Sequence, residues 1–285
     1  MVLLVHGGPW SRDVWRYNSW HQWLANRGYA VLSVNFRGST GFGKAFANAG
    51  DRQWGRRMQR DLIDGVEWAI ETGVTRRGQV GIMGGSYGGY ATLAGLTLTP
   101  EVFACGVDMV GPSNLVTMLE TGPPYWKAWF DLDASLIGDP RTEEGRAMLN
   151  ERSPLTHADR IVRPLLIAHG SNDPRVIQAE SDQMVQAMQE NDIPVTYLLF
   201  PDEGHVLGRA ANRLAFHAVA EAFLAEHLGG RTEPYGWAFE NSSIQVPAGA
   251  ELVPGLAEML EYYRQRSSAD SSAMAPPDST SDVDQ

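Results

Sequence analysis

The chain has 285 residues, 43% of them hydrophobic, which suffices for one sizeable core in a single large domain. Asp plus Glu outnumber Lys plus Arg by 34 to 23, a formal net charge of −11, and the basic residues do not cluster. That balance argues against nucleic-acid binding and against attachment to an anionic membrane.

The single cysteine, Cys105, excludes an intrachain disulfide, and its apolar surroundings read as those of a buried small residue. No apolar run reaches membrane-spanning length. The opening "MVLLVHGGPW" lacks the basic region and long apolar stretch of a signal peptide, so the cytoplasm is the default expectation, with the compartment left open if the true start lies upstream.

In chain order, short apolar runs predict strands at Val2–Val5, Tyr29–Phe36, Gln79–Met83, Ala104–Val110, Pro164–His169 and Val195–Phe200. Their continuous apolarity suits strands buried on both faces, as in a parallel sheet. Amphipathic stretches lie between them. "WRYNSWHQWLANRG" puts Trp15, Trp20, Trp23 and Leu24 near one face, read as core packing, and closes on Gly28. "RDLIDGVEWAIETG" spaces Leu62, Val66, Trp68 and Ile70 helically; "QAESDQMVQAMQEND" and "NRLAFHAVAEAFLAEHLGG" complete the series. Alternating strands and helices predict an α/β fold with a mostly parallel sheet and helices on both faces.

Residues 112–157 contain no strand-like run and read as a cap-like insertion over the carboxyl ends of the strands. The alternating strands and helices span residues 1–230, read as one domain. Residues 231–266 read as an ordered surface extension ending in a short helix, and the Ser-, Asp- and Pro-rich residues 267–285 as a disordered tail.

"GGSYG" matches G-x-S-x-G between a predicted strand and a predicted helix from Gly89 to Thr97, the setting of a nucleophile elbow. Glycines two residues either side leave room for a serine on a sharp turn, with its hydroxyl above the sheet. Serine needs a base to become a nucleophile. In this setting the partners follow in the order acid, then histidine, at later strand ends. "PLLIAHGSNDPRV" offers Asp173 and "VTYLLFPDEGHVLG" offers His205. Ser86 is therefore read as nucleophile, His205 as proton shuttle and Asp173 as the acid that fixes the histidine tautomer.

Among rivals, His169 precedes the acid and reads as structural. His21, His157, His217 and His227 lack a strand lead-in. Asp202 and Glu203 read as surface charges, and Asp139 lies in the insertion. The N–H of Tyr87 and that of Gly8, in the glycine-rich "VHGGPW" loop, are the oxyanion donors. "NFRGSTGFG" lacks phosphate-loop spacing and reads as a tight connection beside that loop. No metal-ligand spacing is present, so neither metal nor cofactor is expected. Tyr125, Trp126 and Val176 are candidate pocket walls, with core packing an equally open reading for each.

"HGGPW", "NFRGSTGFG", "GGSYGGY", "SNDPRV" and "FPDEGH", in this order, resemble the catalytic domain of the prolyl oligopeptidase family of serine peptidases, nearest its acylaminoacyl- and dipeptidyl-peptidase-like branch. The resemblance runs from about Val2 to Gly230 and implies an α/β-hydrolase fold. It assigns Ser86, Asp173 and His205 as triad and Gly8 and Tyr87 as oxyanion donors. It also implies hydrolysis of short peptides through an acyl-enzyme, with esters as further substrates. Two departures stand out. Nothing corresponds to the family's N-terminal β-propeller, and the strands that precede the "HGG" strand are lacking. A truncated product or an internal methionine taken as the start is the expectation, with "YAVLSVNF" left as a sheet edge. Three readings follow: a serine peptidase, a carboxylesterase using the same triad, and an inert fragment. The expected partner is a short peptide or ester, with a homo-oligomer left open and neither nucleic acid nor membrane involved.

Overall fold

The computed structural model describes residues 1–123, 125 and 130–273. The apolar runs form strands β1 (Val2–Val5), β2 (Val31–Leu32), β3 (Gly81–Gly85), β4 (Cys105–Met109), β5 (Leu165–Gly170) and β6 (Val195–Phe200). They pair in parallel in the order β2-β1-β3-β4-β5-β6. A strand not foreseen, β7 (Gln245–Ala248), adds antiparallel to β6, with Tyr197 opposite Ala248. Residues expected to pack on the surface thus complete the sheet. β7 is a half-exposed edge strand with a proline in it, and carries none of the continuous apolarity of the central strands.

The eight-residue strand expected at Tyr29–Phe36 shrinks to Val31–Leu32. It pairs only with β1 and its residues stay half-buried, as an edge strand's do.

The helices are α1 (Ser19–Asn26), α2 (Lys44–Asn48), α3 (Arg57–Glu71), α4 (Tyr87–Leu98), α5 (Leu115–Glu120), α6 (Phe130–Leu136), α7 (Glu143–Arg152), α8 (Ala179–Glu190), α9 (Ala210–Leu228) and α10 (Leu256–Ala273). α1 starts later than its apolar pattern suggested because Asn18 caps it, its Oδ1 accepting from the Trp20 and His21 N–H groups. Trp15 is therefore outside the helix and fully exposed, contrary to the core role expected of it, while Trp20 and Trp23 pack against the core. Trp68 also differs from expectation. α3 buries Met58, Leu62, Ile63, Val66 and Ala69, and that face leaves Trp68 largely in solvent. α10 continues into the Ser-rich tail as far as Ala273, and residues 274–285 lie outside the described residues.

Two apolar cores flank the sheet. One joins α3, α4 and α8 to β1, β3 and β5 through residues such as Leu62, Tyr90, Leu93, Ile82, Ile167 and Met184. The other joins α1, α9 and α10 to the opposite face through Leu24, Met83, Val107, Phe216, Val219 and Leu256. α4 is buried on nearly every side, from Tyr87 to Thr97. The chain leaves β1 for β2 on one side and returns to β3 on the other. The loops after β1 and β3 consequently sit side by side at a topological switch point, where open α/β sheets place their sites.

Candidate active site

Ser86 stands between β3 and α4 with φ 58° and ψ −120°, a conformation that costs an L-residue energy and marks a strained turn. The flanking glycines are sterically required. A Cβ on Gly84 would come within 2.6 Å of the Gly88 backbone, and one on Gly88 within 2.2 Å of the Val5 carbonyl oxygen. Tyr87 is the first residue of α4, so its N–H has no carbonyl within the helix and points out of the helix start. Across the switch point, Gly8 adopts φ 126°, closed to most side chains.

The loop carrying Gly8 is held by residues that the motif reading passed over. His6 Nδ1 donates to the Gly7 carbonyl (2.8 Å), which leaves Nε2 to accept from Ser39 Oγ (3.0 Å). The His6 ring stacks on Phe36 at 4.4 Å. Thr40 N–H donates to Ser11 O at 2.9 Å. "NFRGSTGFG", read as a connection beside the Gly8 loop, thus also braces it.

Asp173 follows β5 and His205 follows β6, and these strands are neighbours. His205 Nδ1 lies 2.6 Å from Asp173 Oδ2, and the Asp173 side chain is fully buried. A carboxylate only accepts, so Nδ1 carries the proton and Nε2 presents a lone pair. Asp173 Oδ1 accepts from the Arg175 and Val176 N–H groups at 2.8 and 3.1 Å, which fixes the carboxylate plane.

His169 Nε2 is also near this carboxylate, but at 3.7 Å from Oδ2 it lies beyond hydrogen-bond range. Its Nε2 donates to Val176 O (2.9 Å) and its Nδ1 accepts from Ser181 Oγ (2.7 Å). Burial lowers its pKa and keeps it neutral. The structural role read for it from its position before the acid agrees with this geometry.

Glu203 corrects an expectation. Read as a surface charge, it is 5% exposed. Its carboxylate accepts from the N–H groups of Gly208 and Arg209 (2.8 Å each) and from Asn212 Nδ2 (2.7 Å). It folds the loop that carries His205 back onto α9. A charged residue beside a motif histidine carries no sequence mark that separates an internal staple from a solvated charge.

Two cavities meet at Ser86. The larger, about 880 Å³, is lined by Gly8, Tyr87, Trp54, Tyr125, Asp133 and Val176, among others. The smaller, about 290 Å³, is lined by His205 and by residues of the α1–α9 side of the sheet. Of the expected site residues, Ser86, Gly8, Tyr87, Tyr125 and Val176 thus face one space, and Ser86 and His205 share the other. Tyr125 is half-exposed and Val176 buried; Trp126 lies outside the described residues. The segment 112–157, irregular by sequence, carries α5, α6 and α7 and supplies Met118, Leu119, Asp133 and Ile137 to the larger cavity. Among the described residues, no group of three or more His, Cys, Asp or Glu side chains is arranged to hold a metal, and no helix is long and apolar enough to cross a membrane.

A mostly parallel sheet with a strained serine after β3, an acid after β5 and a histidine after β6 defines an α/β-hydrolase. The family model for the prolyl oligopeptidase family matches residues 15–231, and the chain belongs to that family. It is 65% identical over 265 residues to dipeptidyl aminopeptidase BIII of Pseudoxanthomonas mexicana, covering 93% of this chain and 38% of that protein. Dipeptidyl peptidase family member 6 of Caenorhabditis elegans is 53% identical over 247 residues, covering 86% of this chain and 33% of that one. Among solved structures, a puromycin-hydrolyzing peptidase of Mycobacterium tuberculosis superposes with a TM-score of 0.76 at 32% identity, covering 82% of this chain and 35% of the other. The chain therefore spans between a third and two fifths of the length of these proteins.

Proposed function

We propose that the chain carries the catalytic machinery of a serine peptidase that removes short, unblocked amino-terminal pieces from peptides. The Asp173–His205 hydrogen bond of 2.6 Å, beside a serine held at positive φ, is the observation that supports this most. Ser86 Oγ attacks the scissile carbonyl while His205 Nε2 takes its proton. The oxyanion forms against the N–H groups of Gly8 and Tyr87. The C–N bond breaks as His205 returns the proton to the leaving amine, and water then releases the acyl group by the same path. Asp173 holds the imidazole in the reactive tautomer and stabilises its cation.

In this reading residues 1–230 form the hydrolase unit. The segment 112–157 caps the acyl side, residues 231–266 close the sheet edge, and Tyr125 and Val176 contact the residue before the scissile bond. Asp133 supports a free amino terminus as the substrate's far end. It lines the larger cavity from α6, half-buried, and no cation among the described residues pairs with it. Burial raises its pKa, so a substrate ammonium would relieve a real cost.

The test compares dipeptidyl anilides with free and with acylated amino ends, alongside p-nitrophenyl esters. The reading expects cleavage of the free-amino anilides. Turnover of esters with no anilide cleavage would replace it with the carboxylesterase reading.

A further inference from the structure

We infer that the smaller cavity is a subsite for the residue after the scissile bond and selects an apolar side chain there. The inference rests on the peptidase reading above and extends it to the leaving group.

The assignment comes from where the two halves of a bound peptide must go. Once the carbonyl oxygen points at Gly8 and Tyr87, the acyl chain falls into the larger cavity, whose wall those residues form. The leaving nitrogen must face the group that protonates it, His205. Of these two cavities His205 lines the smaller alone, and Ser86 is the one residue among the described ones that lines both. The two cavities also lie over opposite faces of the sheet. Trp54 and Ile137 in the larger belong to the core on the α3–α4 face, and Trp20 and Phe216 in the smaller to the core on the α1–α9 face. A peptide crossing Ser86 therefore passes from one face to the other.

The lining sets the chemistry. Trp20, Met109, Val110, Leu207 and Phe216 give the wall its large apolar side chains. Trp20 is fixed edge-on to Phe216 at 5.8 Å and tilted against His217 at 4.8 Å, so the far wall is preformed. The titratable neighbours do not oppose an apolar guest. His169 and His217 both have pKa values lowered by burial and stay neutral. Arg213, exposed, donates through Nη1 to the carbonyls of Leu207 and Gly208, and its charge disfavours a basic guest. A volume of about 290 Å³ accommodates a large side chain.

Acyl transfer tests this directly. A dipeptidyl ester acylates Ser86 and loses its alcohol. An added amino-acid amide then competes with water, its nitrogen forming the new C–N bond as Ser86 Oγ leaves and recovers a proton through His205. The ratio of peptide to hydrolysed product measures how well the amide occupies the leaving-group side. With the 285-residue chain, leucinamide and phenylalaninamide should be captured about tenfold better than glycinamide or lysinamide, the discrimination an apolar pocket supplies. Leu207→Glu should bring the four amides within about twofold of one another. Trp20→Ala, on the wall away from the histidine loop, should shift preference from leucinamide toward phenylalaninamide. Equal capture of all four by the unmodified chain, or an unchanged preference in both variants, would overturn the subsite while leaving ester hydrolysis, and so the peptidase reading, intact. Absence of any acylation by the folded chain would overturn both.

Discussion

The turn from β3 into α4 and the segment 112–157 face each other across Ser86, and they are built on opposite terms. The first is almost wholly buried, with glycines that a single methyl group would push into backbone atoms. The second is three short helices, with half-exposed side chains such as Tyr125 and Asp133 at the cavity. Reacting atoms need placement to fractions of an ångström, and that is supplied by close-packed backbone. On the proposed function, substrate recognition tolerates more variation and falls to side chains on short elements. Changes to the first region should therefore abolish rate or fold, and changes to the second should move KM.

The largest effect expected is that of Ser86→Ala, a loss of turnover on the order of a millionfold with thermal unfolding nearly unchanged. Anilide kinetics beside a melting curve would check it. Asp173→Asn should cost roughly ten-thousandfold in kcat, because an amide at Oδ2 favours the wrong histidine tautomer. A fall of only a few-fold would mean that Asp173 does not orient His205. Gly88→Ala drives a methyl group into the Val5 carbonyl and should destabilise the fold by roughly 3 kcal/mol, readable in urea unfolding.

On the other side of the comparison, Asp133→Asn should raise KM about tenfold for substrates with a free amino end, by the loss of one charge-assisted contact, and leave acylated ones unaffected. An equal effect on both substrate types would show that α6 acts on the fold and not on the substrate.

The last effect concerns pH. Asp108 is buried behind the elbow, its Oδ1 accepting from Gly111 N–H while Oδ2 has no hydrogen-bond partner among the described residues. Burial pushes its pKa up to about 7 from the ordinary aspartate value near 3.8. Between those values the folded chain binds the proton and the unfolded chain does not, so stability contributed through this group falls as pH rises from about 4 to about 7. Asp108→Asn cannot titrate. Its melting temperature relative to the unmodified chain should climb across that interval, and a constant difference would contradict the assignment.

The elbow was legible in sequence because its physics forces residue types. A serine at positive φ between a strand and a helix has to sit among glycines, and only parallel, fully buried strands read as unbroken apolar runs. Asp173 and His205 were legible for the same reason, since each follows such a run. Glu203, His6 and Ser39 were not, because a buried staple and a surface polar residue look alike until the chain closes around them. β7 was hidden by its place at an edge, where half its residues face solvent. The helices of 112–157 are too short for apolar periodicity to accumulate. The same shortness leaves their side chains free to line a cavity.

The central claim is that Ser86 is a nucleophile activated by the His205–Asp173 pair. A serine-directed phosphonate applied to the folded chain, followed by peptide mass mapping, tests it most directly. The claim predicts one phosphonylated residue, Ser86, with labelling lost in His205→Ala. Labelling at another serine, or none in a chain that unfolds cooperatively, would contradict it.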